Sequence, residues 1–150
     1  MLRVLLFLSV FPTAVTATPD RVQFSIGSVH TKDEDNKFEA FNPGVFLTWD
    51  RPRVSLSAGV FRNSYGDGAF AFVGAWPFWR PDEWEVSAFG ALAWYPNGSR
   101  FDLSVGNWVP GVGVEVRRGT AFAQIFPSSD DVLDMVITFG VTVPWEVLTR

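Results

Sequence analysis

The chain has 150 residues, no cysteine, a formal net charge of −4 and an aromatic content of 16%. One domain's worth of mildly acidic sequence argues against a nucleic-acid partner. Without cysteine, an exported form must be held by burial or by a membrane rather than by disulfides.

Residues 1–17 read as a secretory leader, with Arg3 as the positive start and Val4 to Phe11 as the apolar stretch. Ala14-Val15-Thr16-Ala17 supplies small residues for cleavage after Ala17. The apolar stretch is shorter than the ~20 residues of a helical membrane span. Residues 18–150 then form a single domain.

Strand one is expected over Val22 to Val29, with Val22, Phe24 and Ile26 on one face and Gln23, Ser25 and Gly27 on the other. A charged stretch, His30 to Glu39, leads to strand two, Gly44 to Trp49. Asp50-Arg51-Pro52-Arg53 is a tight connection. Strand three alternates most cleanly: Val54, Leu56, Ala58 and Val60 face out, and Ser55, Ser57, Gly59 and Phe61 face in. Arg62 to Gly68 is a loop by its glycines. Strand four runs from Ala69 to Phe78 and strand five from Trp84 to about Ala93, joined by the short Trp79-Arg80-Pro81-Asp82-Glu83. A long loop, Trp94 to Asn107, precedes strand six at about Val109 to Val116. Arg117-Arg118-Gly119 turns into strand seven, Thr120 to Phe126. A polar loop from Pro127 leads to strand eight, Met135 to Val143. Strands two and seven look short for the ~9–11 residues of a spanning strand.

The connections alternate between longer and shorter. In an up-and-down antiparallel sheet every other connection lies at the same end. The fold class expected is therefore all-β: an eight-stranded antiparallel up-and-down transmembrane β-barrel. Long loops outside, short turns inside and tryptophans near the turns (Trp49, Trp79, Trp84) fit an outer-membrane barrel. A secreted soluble barrel explains the strands alone. Loop parity puts His30 and Asn63-Ser64 on one rim, the extracellular one.

That rim carries the candidate chemistry. His30 is the single histidine, and imidazole is the side chain that exchanges protons near neutral pH. Ser64 offers a hydroxyl that becomes a nucleophile once a base takes its proton. A third group orients such a base; Asn63 or a loop acid (Asp33, Asp67, Asp102) is available. The candidate catalytic residues are His30, Ser64 and Asn63. The plainer alternative is a solvated histidine and an ordinary Asn-Ser turn. Asp33-Glu34-Asp35 and Asp130-Asp131 read as solvated loop charges rather than cation ligands. No metal and no cofactor are expected.

The order of motifs resembles the lipid A palmitoyltransferase (PagP-like) family from about Ile26 to Val143. Ser28-Val29-His30, the charged loop after it and Phe41-Asn42-Pro43-Gly44 are similar to that family's first strand end, long loop and glycine-rich second strand. Gly59-Val60-Phe61-Arg62-Asn63-Ser64-Tyr65 looks like its Asp-Ser motif, with Asn63 where the family has aspartate. Ala75 to Pro81, Pro110 and Phe126-Pro127 sit in similar places. The chain also resembles a group of small exported bacterial and phage proteins. The resemblance implies a monomeric enzyme of the Gram-negative outer membrane with phospholipid and lipid A as its lipid partners. It would move an acyl chain from a phospholipid to an outer-leaflet lipid, with His30 as base and Ser64 as its partner.

Two further readings compete: a non-catalytic outer-membrane barrel whose loops act in surface binding or envelope modification, and a soluble exported barrel that binds an apolar ligand. The enzyme needs a lumen with room for a hydrocarbon chain, for which Ser55, Ser57, Gly59, Gly74 and Gly90 are small positions and Phe61 and Phe89 are walls. The non-catalytic barrel predicts a lumen plugged by a polar network. The enzyme also requires His30 and Ser64 within several Å of each other.

Overall fold

The computed structural model describes residues 18–32, 38–101, 103–128 and 134–150. The leader over 1–17 and the acids Asp33, Glu34, Asp35, Asp102, Asp130 and Asp131 lie outside the described residues.

Eight strands close into one antiparallel up-and-down barrel, each paired with its sequence neighbours and the first with the last. They are β1 (Arg21–His30), β2 (Phe41–Asp50), β3 (Ser55–Arg62), β4 (Gly68–Trp79), β5 (Trp84–Trp94), β6 (Trp108–Arg118), β7 (Ala121–Pro127) and β8 (Met135–Pro144). A short helix, α1 (Trp145–Leu148), follows β8. Strand two is longer than its sequence suggests, because Phe41 extends the ladder opposite Gly27. Strand seven is short, at seven residues.

Period-two alternation sorts the side chains between lumen and exterior. Strand three follows its expected phase: Leu56 and Val60 are exposed outside, and Phe61 lines the lumen. Gly74 and Gly90 depart from the expectation of lumen space. A side chain at either would approach the exposed ring of Trp76, so both lie on the outer face. Room inside comes instead from Ala71, Ala91 and Ala93.

Strand one changes phase partway along. Its pairing with both β2 and β8 skips Ile26, between Ser25 and Gly27. Such a bulge inserts one unpaired residue and inverts the faces beyond it. Gln23 and Ser25 face the lumen before the bulge; Ser28 and His30 face it afterwards, while Ile26 and Val29 are exposed. Strict alternation from Gln23 would have carried His30 to the exterior.

β6 and β7 pair only from Val114–Ile125 to Arg118–Ala121. Toward the loop end, Trp108–Gly113 pairs with β5 and, among the described residues, with no second strand. Pro110 within that stretch has no N–H to offer a ladder.

Candidate active site

The end of β1, the loop after β3 and the residue before β8 meet at the rim that carries the long loops. The β1–β8 register sets His30 opposite Val136, which brings Asp134, two residues earlier, beside the imidazole. His30 Nδ1 lies 2.6 Å from Asp134 Oδ2, and His30 Nε2 lies 3.2 Å from Ser64 Oγ. Asp134 is ionised and can only accept, so Nδ1 carries the proton, and Nε2 is free to accept from the Ser64 hydroxyl. The expected proximity of His30 and Ser64 is met, and a carboxylate completes the chain.

Asp134 is fixed from both sides. Its Oδ1 accepts from Thr31 Oγ1 at 3.2 Å and from the Lys32 N–H at 3.0 Å. The Met135 N–H donates to Thr31 Oγ1. Burial pushes the Asp134 carboxyl up, but hydrogen bonds from His30 and Lys32, the electrostatic attraction of His30 and the Thr31 hydroxyl outweigh it, so the carboxyl stays below its ordinary value. Phe38 stacks flat on the imidazole, with ring centroids 3.7 Å apart.

Asn63 is buried and works on the loop rather than on the imidazole. Its side-chain oxygen accepts the N–H groups of Tyr65 at 2.9 Å and Asp67 at 3.0 Å. The group on the imidazole is Asp134, so the orienting role considered for Asn63 and Asp67 falls to it. The Asn63 turn holds Ser64 at its bend. The Glu39 N–H donates to the Ser64 carbonyl, and Glu39 also pairs with Arg62. Ser28 Oγ donates to Asn42 Oδ1 at 2.6 Å and lies 3.4 Å from Ser64 Oγ. The single protons of Ser28 and Ser64 are thus directed to Asn42 and His30, which leaves lone pairs of Ser64 Oγ for attack.

Beneath this group lies a cavity of about 170 Å³ in the lumen. Its walls are Phe46, Phe61, Phe89, Phe122, Phe126 and Val73, with Ala71, Ala91 and Ala93 as small positions; His30, Asn42 and Ser64 edge it. Tyr95 adds a neutral wall, its phenol pushed up by burial to about 12. The floor is polar. Glu115, 4% exposed, accepts from Gln124 Nε2 at 2.8 Å and from Gln23 Nε2 at 3.3 Å. Fully buried Thr48 donates to Gln23 Oε1 and bonds Ser57.

The fold and the site together define a class: a closed eight-stranded barrel with a serine–histidine–aspartate relay over a dead-ended apolar cavity. The relay can deprotonate a serine hydroxyl and stabilise the imidazolium that results. No family model matches the chain, and no curated protein is similar to it.

Proposed function

We propose that this protein is an outer-membrane barrel enzyme that uses Ser64 to take an acyl chain from a phospholipid and pass it to an outer-leaflet lipid such as lipid A. One observation carries the reading. The Ser64–His30–Asp134 relay sits at the mouth of a cavity walled by aromatic and small apolar side chains and closed below by hydrogen-bonded polar groups. That is the layout wanted by a reaction on the ester end of a long hydrocarbon chain: the chain is buried, and the carbonyl is left beside the nucleophile. The lack of a second partner strand along Trp108–Gly113 among the described residues, next to cavity residues Pro110 and Phe126, supports entry of a chain from the side.

The membrane part rests on the outer surface. Every strand exposes large apolar side chains, among them Ile26, Phe41, Val60, Trp76, Leu92, Val112, Ile125 and Phe139. A continuous apolar belt of this extent is unusual for a protein that faces only water. Trp79 and Trp84 stand at its turn edge.

The test is lipid analysis of a Gram-negative host with and without the protein. Wild type is expected to add one acyl chain to lipid A, and the Ser64→Ala and His30→Ala variants to add none. Recovery of the protein in the aqueous periplasmic fraction would reject the membrane assignment. An unchanged acyl profile in cells with folded protein in the outer membrane would reject lipid A as acceptor.

A further inference from the structure

Among the described residues three buried side chains carry a polar atom without a partner, Arg21 Nε, Asn42 Nδ2 and Thr142 Oγ1, and of these Asn42 is the one that edges the cavity. It lies near the loop end of β2, is 5% exposed and edges the cavity. Its carboxamide oxygen is held by Ser28 at 2.6 Å, whereas its Nδ2 has no hydrogen-bond partner among the described residues. A buried donor without a partner costs about 1–3 kcal/mol, and a group kept in that condition at a site invites the question of what it awaits. Ser28 ties the carboxamide to the nucleophile, since its Oγ bonds Asn42 at one side and lies 3.4 Å from Ser64 Oγ at the other.

We infer that Asn42 is the oxyanion donor of this site. The inference rests on the acyl-transfer reading above. Ser64 Oγ forms a bond to the ester carbonyl carbon while its proton moves to His30 Nε2, and the carbonyl π electrons move onto oxygen. The Asn42 Nδ2–H donates to that oxygen. Collapse reforms the carbonyl and breaks the bond to the alcohol, which leaves with the proton from His30. The acyl-serine is then opened by the acceptor hydroxyl in the mirror sequence, which returns the proton to Ser64. A preorganised amide donor aimed at developing charge in a water-poor pocket needs no reorientation during the step. The Ser28 bond to Oδ1 turns the amide so that its nitrogen, not its oxygen, is free for the reacting group.

The experiment uses the full chain in detergent micelles with a long-chain p-nitrophenyl ester as substrate. A fluorophosphonate reports the nucleophile, and a long-chain alkylboronic acid forms a tetrahedral adduct with it. Asn42→Ala is expected to lower kcat by about 10²–10³-fold with KM nearly constant, the loss typical of one oxyanion donor. Boronic acid affinity should fall by a similar factor. Asn42→Asp keeps the shape but puts a negative charge where the donor was, and should lose at least as much. Ser28→Ala, which leaves the Nδ2–H in place, should lose far less than either. Thermal melting selects the folded variants for comparison.

A folded Asn42→Ala or Asn42→Asp protein with wild-type kcat, in an enzyme that Ser64→Ala inactivates, overturns the oxyanion role and leaves the acyl-transfer reading standing. Equal losses in Ser28→Ala and Asn42→Ala with unchanged boronic acid binding also overturn it, since they mark Asn42 as a scaffold for Ser28. Wild-type protein that neither turns over the ester nor reacts with the fluorophosphonate overturns the acyl-transfer reading, and the oxyanion role falls with it.

Discussion

The two halves of the lumen are lined by the same eight strands and solve opposite problems. Toward the loops, Ser28, His30, Asn42 and Ser64, with Asp134 behind His30, edge an apolar cavity that the side chains do not fill. Toward the turns, Gln23, Thr48, Ser57, Glu115 and Gln124 bond to one another across the barrel, and Arg21–Asp50 and Arg117–Glu85 pairs lie below them. Protein interiors are normally packed without voids, so unfilled apolar space forgoes contacts that would stabilise the fold. A hydrogen-bonded polar network rigidifies the core around it. The contrast assigns stability to the turn half and room to the loop half. It also combines two expectations that had looked exclusive, a hydrocarbon-sized lumen and a polar plug.

The sharpest way to break the contrast is to insert one alanine between Gly27 and Ser28. The bulge at Ile26 sets the facing of Ser28 and His30, and one residue added beyond it inverts those faces, so His30 and Ser28 turn to the exterior while Gln23 and Ser25 keep their phase. The turn half should survive and the barrel should form. Turnover should fall to the level of Ser64→Ala, a loss on the order of 10⁴-fold or more when the base of a serine relay is removed. Ester turnover and far-ultraviolet circular dichroism of the same preparation check both halves at once. Retained activity would show that the relay does not depend on which face of β1 carries His30.

Asp134→Asn is next. An amide in place of the carboxylate preserves shape but no longer stabilises the imidazolium, and it permits the wrong tautomer; the expected loss in kcat is about 10⁴-fold. The same variant has a pH signature in stability. The folded carboxyl sits below its ordinary value, so the unfolded chain binds a proton more readily, and stability from this group rises with pH. It is fully present above the ordinary carboxylate value of about 3.9 and is lost as pH falls through the lower, folded one. Urea unfolding of the wild type and Asp134→Asn should differ at neutral pH and converge in acid; a gap that widens in acid would contradict the assignment.

Much of the barrel was legible because alternation is a strong local signal: the ends of strands four to eight lie within two residues of their expected places. Loop parity was enough to bring His30 and Ser64 to one rim. The facing of His30 was not legible, because a glycine within a strand can mark a bulge but Gly59, Gly90 and Gly113 sit in regular ladders, so Gly27 alone does not single out the irregular strand. Asp134 was reachable in principle. A closed barrel sets the residue before β8 beside the end of β1, but the acids considered were those of other loops. Asn63 misled because an Asn in a glycine-bearing turn suits a backbone role as well as a side-chain role, and only the bonds to Tyr65 and Asp67 decide between them. Gly74 and Gly90 misled because a small residue makes room only on the face it occupies.

A smaller effect is expected from filling the cavity. Ala71 is 5% exposed and lines it. Ala71→Phe should cost about 1–3 kcal/mol of stability by overpacking and should shorten the chain the cavity accepts. Turnover of a series of p-nitrophenyl esters reads this directly: long-chain esters should lose, while short-chain esters keep the wild-type rate. A uniform loss across the series would place the acyl chain elsewhere than in this lumen.

The smallest change in activity should come from the turn half. Gln124→Leu removes the shorter of the two amide hydrogen bonds to Glu115 and leaves Gln23 at 3.3 Å as the other. A buried acceptor deprived of a partner costs about 1–3 kcal/mol, so the unfolding midpoint in urea should drop. Among the described residues no hydrogen bond joins that network to His30 or Ser64, whose hydrogen-bond partners come from β1, the residue before β8 and the loop after β3, so kcat on a short-chain ester should stay at the wild-type value. If kcat fell along with stability, the two halves would be coupled, and the polar layer would serve to position the relay rather than to close the cavity beneath it. If stability held, the Glu115 network would not carry the turn half, and the pairs below it, Arg21–Asp50 and Arg117–Glu85, would be the next to remove.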